Sequence, residues 1–267
     1  MVSVVIPTYK PGSYIWQCLQ SLTHQSMPKT HYEILVVLNG CCEPYLQQLK
    51  DFVEKEANGC AIRILQTDVP GVSNARNMAL NSLNGQYVVF VDDDDWVSED
   101  YLADLYSTTH QQNVLAIANV TDYDEVNERL LDTYFTMAFR RNQGKDHITL
   151  YSGRSFFSSV WCKMIPVSMI GCHRFNVALS QGEDSLFMAL ISKDVNTIRL
   201  AKPTTIYYRR LRMSSASRSR SRLSIISDAI NLSFRFFLTY CSAPFQYNIS
   251  FFCNRMIAPM KKAFGFA

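Results

Sequence analysis

Four aspartates in a row, Asp92 to Asp95, directly follow the hydrophobic run from Tyr87 to Val91. Carboxylates this close repel one another, and inside a pocket that repulsion raises their proton affinity unless a cation lies among them. Oxygen-rich clusters prefer hard cations, here Mg²⁺ or Mn²⁺. Such a metal bridges diphosphate oxygens and neutralises a departing nucleoside diphosphate. The plainer reading is a solvated acidic turn in which Asp95 caps the next helix. A position at the end of a buried strand favours the first reading. Charge of the opposite sign is concentrated elsewhere: Arg209, Arg210, Arg212, Arg218, Arg220 and Arg222 crowd one stretch, and Lys261 and Lys262 lie near the end. The net charge is only +3, so the molecule as a whole is not built to bind nucleic acid.

The elements that must hold the acids are readable in the first half of the chain. Val2–Ile6 is a short β-branched run closed by Pro7, and Tyr14, Ile15, Cys18, Leu19 and Leu22 then recur at helical spacing. Glu33–Leu38 predicts a second strand, ended by Asn39-Gly40. Pro44 opens a second helical stretch, Ala61–Leu65 a third strand, and Ser73–Leu83 a third helix before the strand that carries the acids. Strands alternating with helices imply a mostly parallel, doubly wound α/β sheet. Such sheets bind ligands outside the carboxyl ends of their strands, which gathers Thr8, Tyr9, Asn39 and the acids into one crevice. Further on, Val114–Val120 predicts a strand, residues 121–150 a loop-rich insertion, Ser185–Ile191 a helix, and Thr197–Leu200 and Thr204–Tyr208 two strands.

Taken together, the motifs resemble the family 2 glycosyltransferases, which have the GT-A fold, over roughly residues 1–217. Five pieces stand in that family's order: Ser3-Val4-Val5-Ile6-Pro7-Thr8-Tyr9, Gly71-Val72-Ser73-Asn74-Ala75-Arg76-Asn77, Val91-Asp92-Asp93-Asp94-Asp95-Trp96, Trp161-Cys162-Lys163 and Gly182-Glu183-Asp184. The resemblance implies that Pro7, Thr8 and Tyr9 line a nucleobase pocket and that Arg76 faces the nucleotide. Asp92 and Asp94 correspond to the acids of the DxD motif, Asp92 near the ribose and Asp94 on the metal, with Asp93 in the variable middle position and Asp95 a further contact. Asp184 corresponds to the catalytic base, with Glu183 beside it, and Trp161 and Lys163 to the acceptor side. Each has a plainer alternative: a buried core tryptophan for Trp161, a solvated lysine for Lys163, and acids favoured by a helix dipole for Glu183-Asp184. The chain departs from the family at Leu38 and Asn39, where many members carry two acids. Asn39 can still hydrogen-bond a base edge. Arg212 stands where the family often has histidine, and an arginine there contacts phosphate bidentately in place of binding metal.

The resemblance implies an inverting enzyme that moves a sugar from a nucleotide-diphosphate sugar, a UDP-sugar by expectation, to a hydroxyl of a lipid-linked or growing polysaccharide of the O-antigen or capsule kind. Two competing readings stand beside it: an inactive sugar-nucleotide-binding subunit of a glycan assembly complex, and a metal-dependent nucleotidyltransferase. The latter lacks a Gly-rich phosphate loop with its lysine after the first strand. The implied domains are 1–217 (1–120 binding nucleotide, 121–217 binding acceptor) and a basic, aromatic helical extension, 218–267. In that extension Phe234, Phe236, Phe237, Phe245, Phe251 and Phe252 interleave with Arg235, Arg255, Lys261 and Lys262. This suits a membrane interface or a helix hairpin packed on the catalytic domain or on a second copy in a homo-oligomer. The uncharged stretch from Phe236 to Asn254 contains Pro244, Gln246 and Asn248, which makes it a poor spanning helix and a better surface-lying one. Eight cysteines without a CxxC pair predict free thiols in a reducing compartment. With no signal peptide in view, the expected location is the cytoplasm, peripheral on the inner face of the membrane.

Overall fold

The computed structural model describes residues 1–109, 113–145, 147–211 and 221–265. Its first half is an α/β succession: β1 (Val2–Thr8), α1 (Tyr14–Thr23), β2 (Tyr32–Asn39), α2 (Tyr45–Glu56), β3 (Ala61–Thr67), α3 (Val72–Leu80), β4 (Tyr87–Phe90), β5 (Trp96–Val97) and α4 (Tyr101–Thr108). The second half contains β6 (Val114–Ile117), β7 (Asn119–Asp124), β8 (Arg129–Asp132), α5 (Tyr134–Asn142), β9 (Lys163–Pro166), α6 (Val167–Ile170), α7 (Glu183–Ile191), β10 (Thr197–Leu200), β11 (Ile206–Leu211), α8 (Arg222–Ser242) and α9 (Ile249–Phe264).

The large sheet has the order β10-β6-β9-β4-β1-β2-β3. β1 and β2 are buried along their whole length, as strands covered on both faces must be. Their continuous Val/Ile/Leu runs follow from that. β1 pairs in parallel with β2 and β4, and β2 with β3, so the carboxyl ends of the first four strands open on one side. β9 is the antiparallel member, inserted between β4 and β6. The expected mixed, doubly wound sheet is the one found. A smaller sheet, β5-β11-β7-β8, stands beside the acids and ties β11 back to β5 and β7.

Several expectations for the second half are corrected. The run 114–120 is two strands, because Ala118 passes the chain from the large sheet to the small one. Residues 121–150 are not loop-rich: they hold most of β7, then β8, and α5, whose Thr133 cap accepts from Phe135 N and Thr136 N. Polar residues dominate there because one face of the β7–β8 pair is exposed. The stretch from Phe236 to Asn254 is not one surface helix but the end of α8, a turn and the start of α9. The hairpin of α8 and α9 buries Phe236, Phe251 and Phe252, and Phe251 meets Phe157, in the segment before β9, edge to face at 5.1 Å. Among the described residues no helix is long and apolar enough to cross a membrane, and all eight cysteines are free. The expected boundary near residue 218 lies outside the described residues.

Candidate active site

The carboxyl ends of β1, β2 and β4 meet as the alternation requires. Thr8 Oγ1 donates to Asp93 at 2.5 Å. Asn39 Nδ2 donates to the Thr8 carbonyl at 2.7 Å, and its Oδ1 accepts from Gly71 N at 2.8 Å. Asn39 therefore locks the end of β1 to the start of α3. With both amide atoms engaged and the side chain buried, it does not present a free edge to a base, which corrects that expectation. Pro7 is buried within β1, while Tyr9 stands half exposed at the crevice rim.

Arg76 occupies the centre. Its side chain is 3% exposed, yet it meets three acids: Nη2 donates to Asp92 at 3.0 Å, Nη1 to Asp184 at 2.5 Å, and Glu183 lies 3.9 Å away. The guanidinium also packs over the Phe175 ring at 5.3 Å, and Phe175 is held by Asn77, whose side chain bonds both its N and its O. One buried cation thus joins the acid motif after β4 to the acids that begin α7. Burial works against the charge, but the three acids more than offset it and raise the guanidinium's proton affinity. A buried arginine bridging these acids is a fuller role than facing a nucleotide alone.

The acids respond in the opposite sense. Burial pushes the Asp184 carboxyl up, as does the charge of Asp92. Arg76, Lys163 and the Val160 amide pull it down without restoring the ordinary value. Glu183 is raised by burial and by Asp184. Gly182 precedes them with φ 81°, a left-handed conformation that glycine adopts without strain. A Cβ there would come within 2.3 Å of Leu232 on α8, so the C-terminal hairpin closes directly over the start of α7.

Asp95 is not a helix cap, which corrects the plainer reading: α4 begins only at Tyr101. Asp95 is buried, accepting from Tyr207 Oη at 2.7 Å and from Arg210 N at 2.8 Å. Burial and then the charges of Asp94 and Asp92 raise its pKa well above the usual range. Tyr207 also accepts from Asp92 N at 3.1 Å and stacks on Trp161 at 5.1 Å. From the sequence, Tyr207 reads only as part of the strand Thr204–Tyr208. The available signal was its phase with Arg209, since alternate strand residues share a face. Arg209 grips Asp122 with two bonds, at 2.7 and 2.5 Å, and lies over Trp161 at 5.7 Å. Trp161 is thereby a buried platform under the acid motif.

Lys163 is corrected outright. It is fully buried in β9 and donates to the carbonyls of Ser159 and Trp161 at 2.7 and 2.9 Å. It is neither solvated nor able to touch an acceptor, and it acts on the site by shaping the loop before β9 and by the charge it presents to Asp184. Arg212 lies outside the described residues.

Asp92 and Asp94 supply hard oxygen donors, and the Asp92 side chain keeps 33% of its surface. Among the described residues no group of three or more metal-binding side chains converges. The acids therefore fit a cation as partial ligands, with a diphosphate supplying further oxygens.

The family model for glycosyl transferase family 2 matches residues 3–168. The chain belongs to that family. Its similarity to curated members is broad: 29% identity over 81% of the chain to glycosyltransferase GlyA of Streptococcus pneumoniae. To the poly(ribitol-phosphate) beta-N-acetylglucosaminyltransferase TarS of Staphylococcus aureus it is 29% over 77%. The chain spans 31% of GlyA and 35% of TarS. Among solved structures, S. aureus TarS 1–349 in complex with UDP-GlcNAc aligns over 100% of this chain and 73% of that one, with TM-score 0.76 and 22% identity. The mannosyltransferase PcManGT from Pyrobaculum calidifontis, in complex with GDP-Man and Mn2+, aligns over 99% and 73%, with TM-score 0.66 and 15% identity. The GT-A fold expected from the motifs is the fold these likenesses bear out.

Proposed function

We propose that this protein is an inverting glycosyltransferase, taking its sugar from a nucleotide-diphosphate donor and delivering it to a hydroxyl of a surface polysaccharide. The observation that carries the reading is the Arg76 bridge between Asp92 and Asp184. It holds Asp92, the proposed donor-side acid, and Asp184, the proposed base, in one frame, which supports the reading because catalysis by positioning requires such a frame. The nucleotide lies at the ends of β1 and β4 against Tyr9, Thr8, Asp92 and Asp93. The acceptor occupies the side built by the second half of the chain, near Glu183, with the buried Trp161 supporting that side from beneath. Asp184 takes the acceptor hydroxyl proton. The freed oxygen bonds the anomeric carbon, and the bond from that carbon to the diphosphate oxygen breaks, its electron pair leaving with the nucleoside diphosphate. Mg²⁺ or Mn²⁺, held by Asp94 and Asp92, would supply positive charge to the leaving diphosphate. Arg212 is proposed to meet the same charge. TarS, in complex with UDP-GlcNAc, is more similar to this chain than PcManGT, in complex with GDP-Man, which supports UDP-sugars as the first candidates and keeps GDP-sugars in the panel.

The experiment is a thermal-shift and hydrolysis screen of the purified chain against UDP-, GDP-, CDP- and dTDP-sugars, with and without Mn²⁺. Metal-dependent stabilisation by one donor with slow sugar release is expected. Silence across the panel moves the weight to a sugar-nucleotide-binding subunit, and pyrophosphate release would indicate a nucleotidyltransferase.

A peripheral membrane role is proposed for the hairpin on a separate observation. Phe234, Phe237 and Leu238 are exposed within three residues of Arg235 on α8, and Phe245 and Ile249 are exposed at the turn and at the start of α9, apolar groups with a base among them as at a lipid interface. Phe245→Glu with Phe237→Glu should abolish sedimentation with anionic vesicles. Unchanged sedimentation would reject the idea.

A further inference from the structure

The α8–α9 hairpin does not close flush on the catalytic domain. Between them lies a cavity of about 310 Å³ lined by Gly182 and Ser185 of the domain, Leu232 and Phe236 of α8, and Arg255 and Lys262 of α9. Gly182 and Ser185 flank Glu183 and Asp184 in sequence, so the cavity adjoins the first turn of α7 that carries the proposed base.

Arg255 is the unusual member. It is 7% exposed, and its Nη2 donates to the Arg154 carbonyl while its guanidinium faces the Phe251 ring at 5.0 Å. Its Nε has no hydrogen-bond partner, and among the described residues it makes no ion pair. Asp228 shares the cavity lining but has an interaction of its own. Burial pulls the Arg255 pKa down to about 10, so the group stays charged at neutral pH. One carbonyl and one ring do not compensate a buried full charge. Pinning the hairpin to Arg154 needs only a neutral donor. A buried guanidinium with an unpartnered N–H, on the wall of a cavity that also carries Ser185 and Lys262, is an arrangement that recognises an oxyanion.

We propose that this cavity is an acceptor subsite that receives a phosphate ester, with Arg255 as its buried counter-charge and Lys262 at its rim. The assignment of the occupant to the acceptor rests on the glycosyltransferase reading above; the anion site itself does not. The ester is carried either on a polar polyol or on an apolar chain, and Leu232 and Phe236 give the second a wall to lie against.

The test is titration calorimetry of the full chain, without divalent metal, against glycerol 3-phosphate, farnesyl phosphate and farnesol. Arg255→Gln and Arg255→Lys are measured beside the wild type. Binding of at least one phosphate ester, weakened about tenfold or more in R255Q and partly kept in R255K, is the expected result, in keeping with the strength of a charge-assisted bond. The ratio of the two esters identifies the carrier. No binding by the wild type, equal binding by R255Q, or farnesol binding as tightly as farnesyl phosphate overturns the proposal. If R255Q does not fold, Ala229→Phe decides: Ala229 lines the cavity, so binding must fall when the ring fills it, and undiminished binding rejects the site. Donor hydrolysis by the wild type is read separately. Its absence rejects the glycosyltransferase reading, while Arg255-independent binding rejects the subsite.

Discussion

The two ends of the large sheet each carry buried carboxylates, and they treat them in opposite ways. At the amino end, Glu33 is buried beside β1 and receives four hydrogen bonds: Ser3 Oγ at 2.6 Å, Asn84 N and Nδ2 both at 2.8 Å, and Arg63 Nη1 at 3.0 Å. Burial drives its pKa upward, but the donors win and hold it below the usual value. At the carboxyl end, Asp95, Glu183 and Asp184 are all raised, and one guanidinium, Arg76, serves three acids. Charge is fully met where the sheet is only structure. It is left under-compensated at the ends of the strands where the proposed site would receive a cation, a diphosphate or a proton.

Substitutions should expose that asymmetry. Asp184→Asn should lower sugar transfer by about 10²–10⁴-fold, the usual worth of a general base, with donor affinity retained in a calorimetric titration. Normal turnover would show that the base is another group. Arg76→Met leaves Asp92 and Asp184 without their shared cation, and breaking a buried pair from one side costs about 3–5 kcal/mol, readable by urea denaturation. If Arg76→Met is harmless, the carboxyl-end acids are better solvated than the geometry indicates. Glu33→Gln strands donors at the opposite end and should cost about 1–3 kcal/mol with kcat untouched. Asp95→Asn should cost under about 1 kcal/mol, because it removes a carboxylate whose charge is disfavoured by burial and by the neighbouring acids, while the amide oxygen can still accept from Arg210 N.

The same contrast explains what the sequence made legible. The first four strands were readable because parallel strands covered on both faces must be apolar throughout, as β1 and β2 are. The acid cluster and its neighbours followed from the topology, which fixes what lies at strand ends. β9 was not readable: its Lys163 looks like a surface residue, and only the carbonyls of Ser159 and Trp161 make its burial tolerable. The roles of Tyr207 and Asp95 were hidden for a related reason. Their bond joins residues far apart in the chain, and no local pattern reports such a contact. Asn39 was misjudged because an amide offers the same groups to a ligand and to its own backbone.

The pH dependence of stability separates the two ends most finely, since the signs oppose. Glu33 has a folded pKa below its unfolded one, so the unfolded chain binds its proton first as pH falls. Its contribution is therefore full above the unfolded glutamate pKa and lost as pH drops through the depressed folded value. Asp95 has a raised folded pKa, so the folded chain binds its proton first. Its charge destabilises the fold above that raised value, and the penalty is relieved as pH falls through it toward the unfolded aspartate pKa. Urea midpoints of Glu33→Gln and Asp95→Asn against the wild type, from neutral pH down into the carboxylate range, should reflect this. The deficit of Glu33→Gln should be largest near neutrality and shrink with acid. Asp95→Asn should compare best with the wild type near neutrality and lose ground with acid, as the wild type sheds its penalty. Two curves of the same slope would mean that both ends meet their charge alike, and the reading of the carboxyl end as a site held short of compensation would have to be given up.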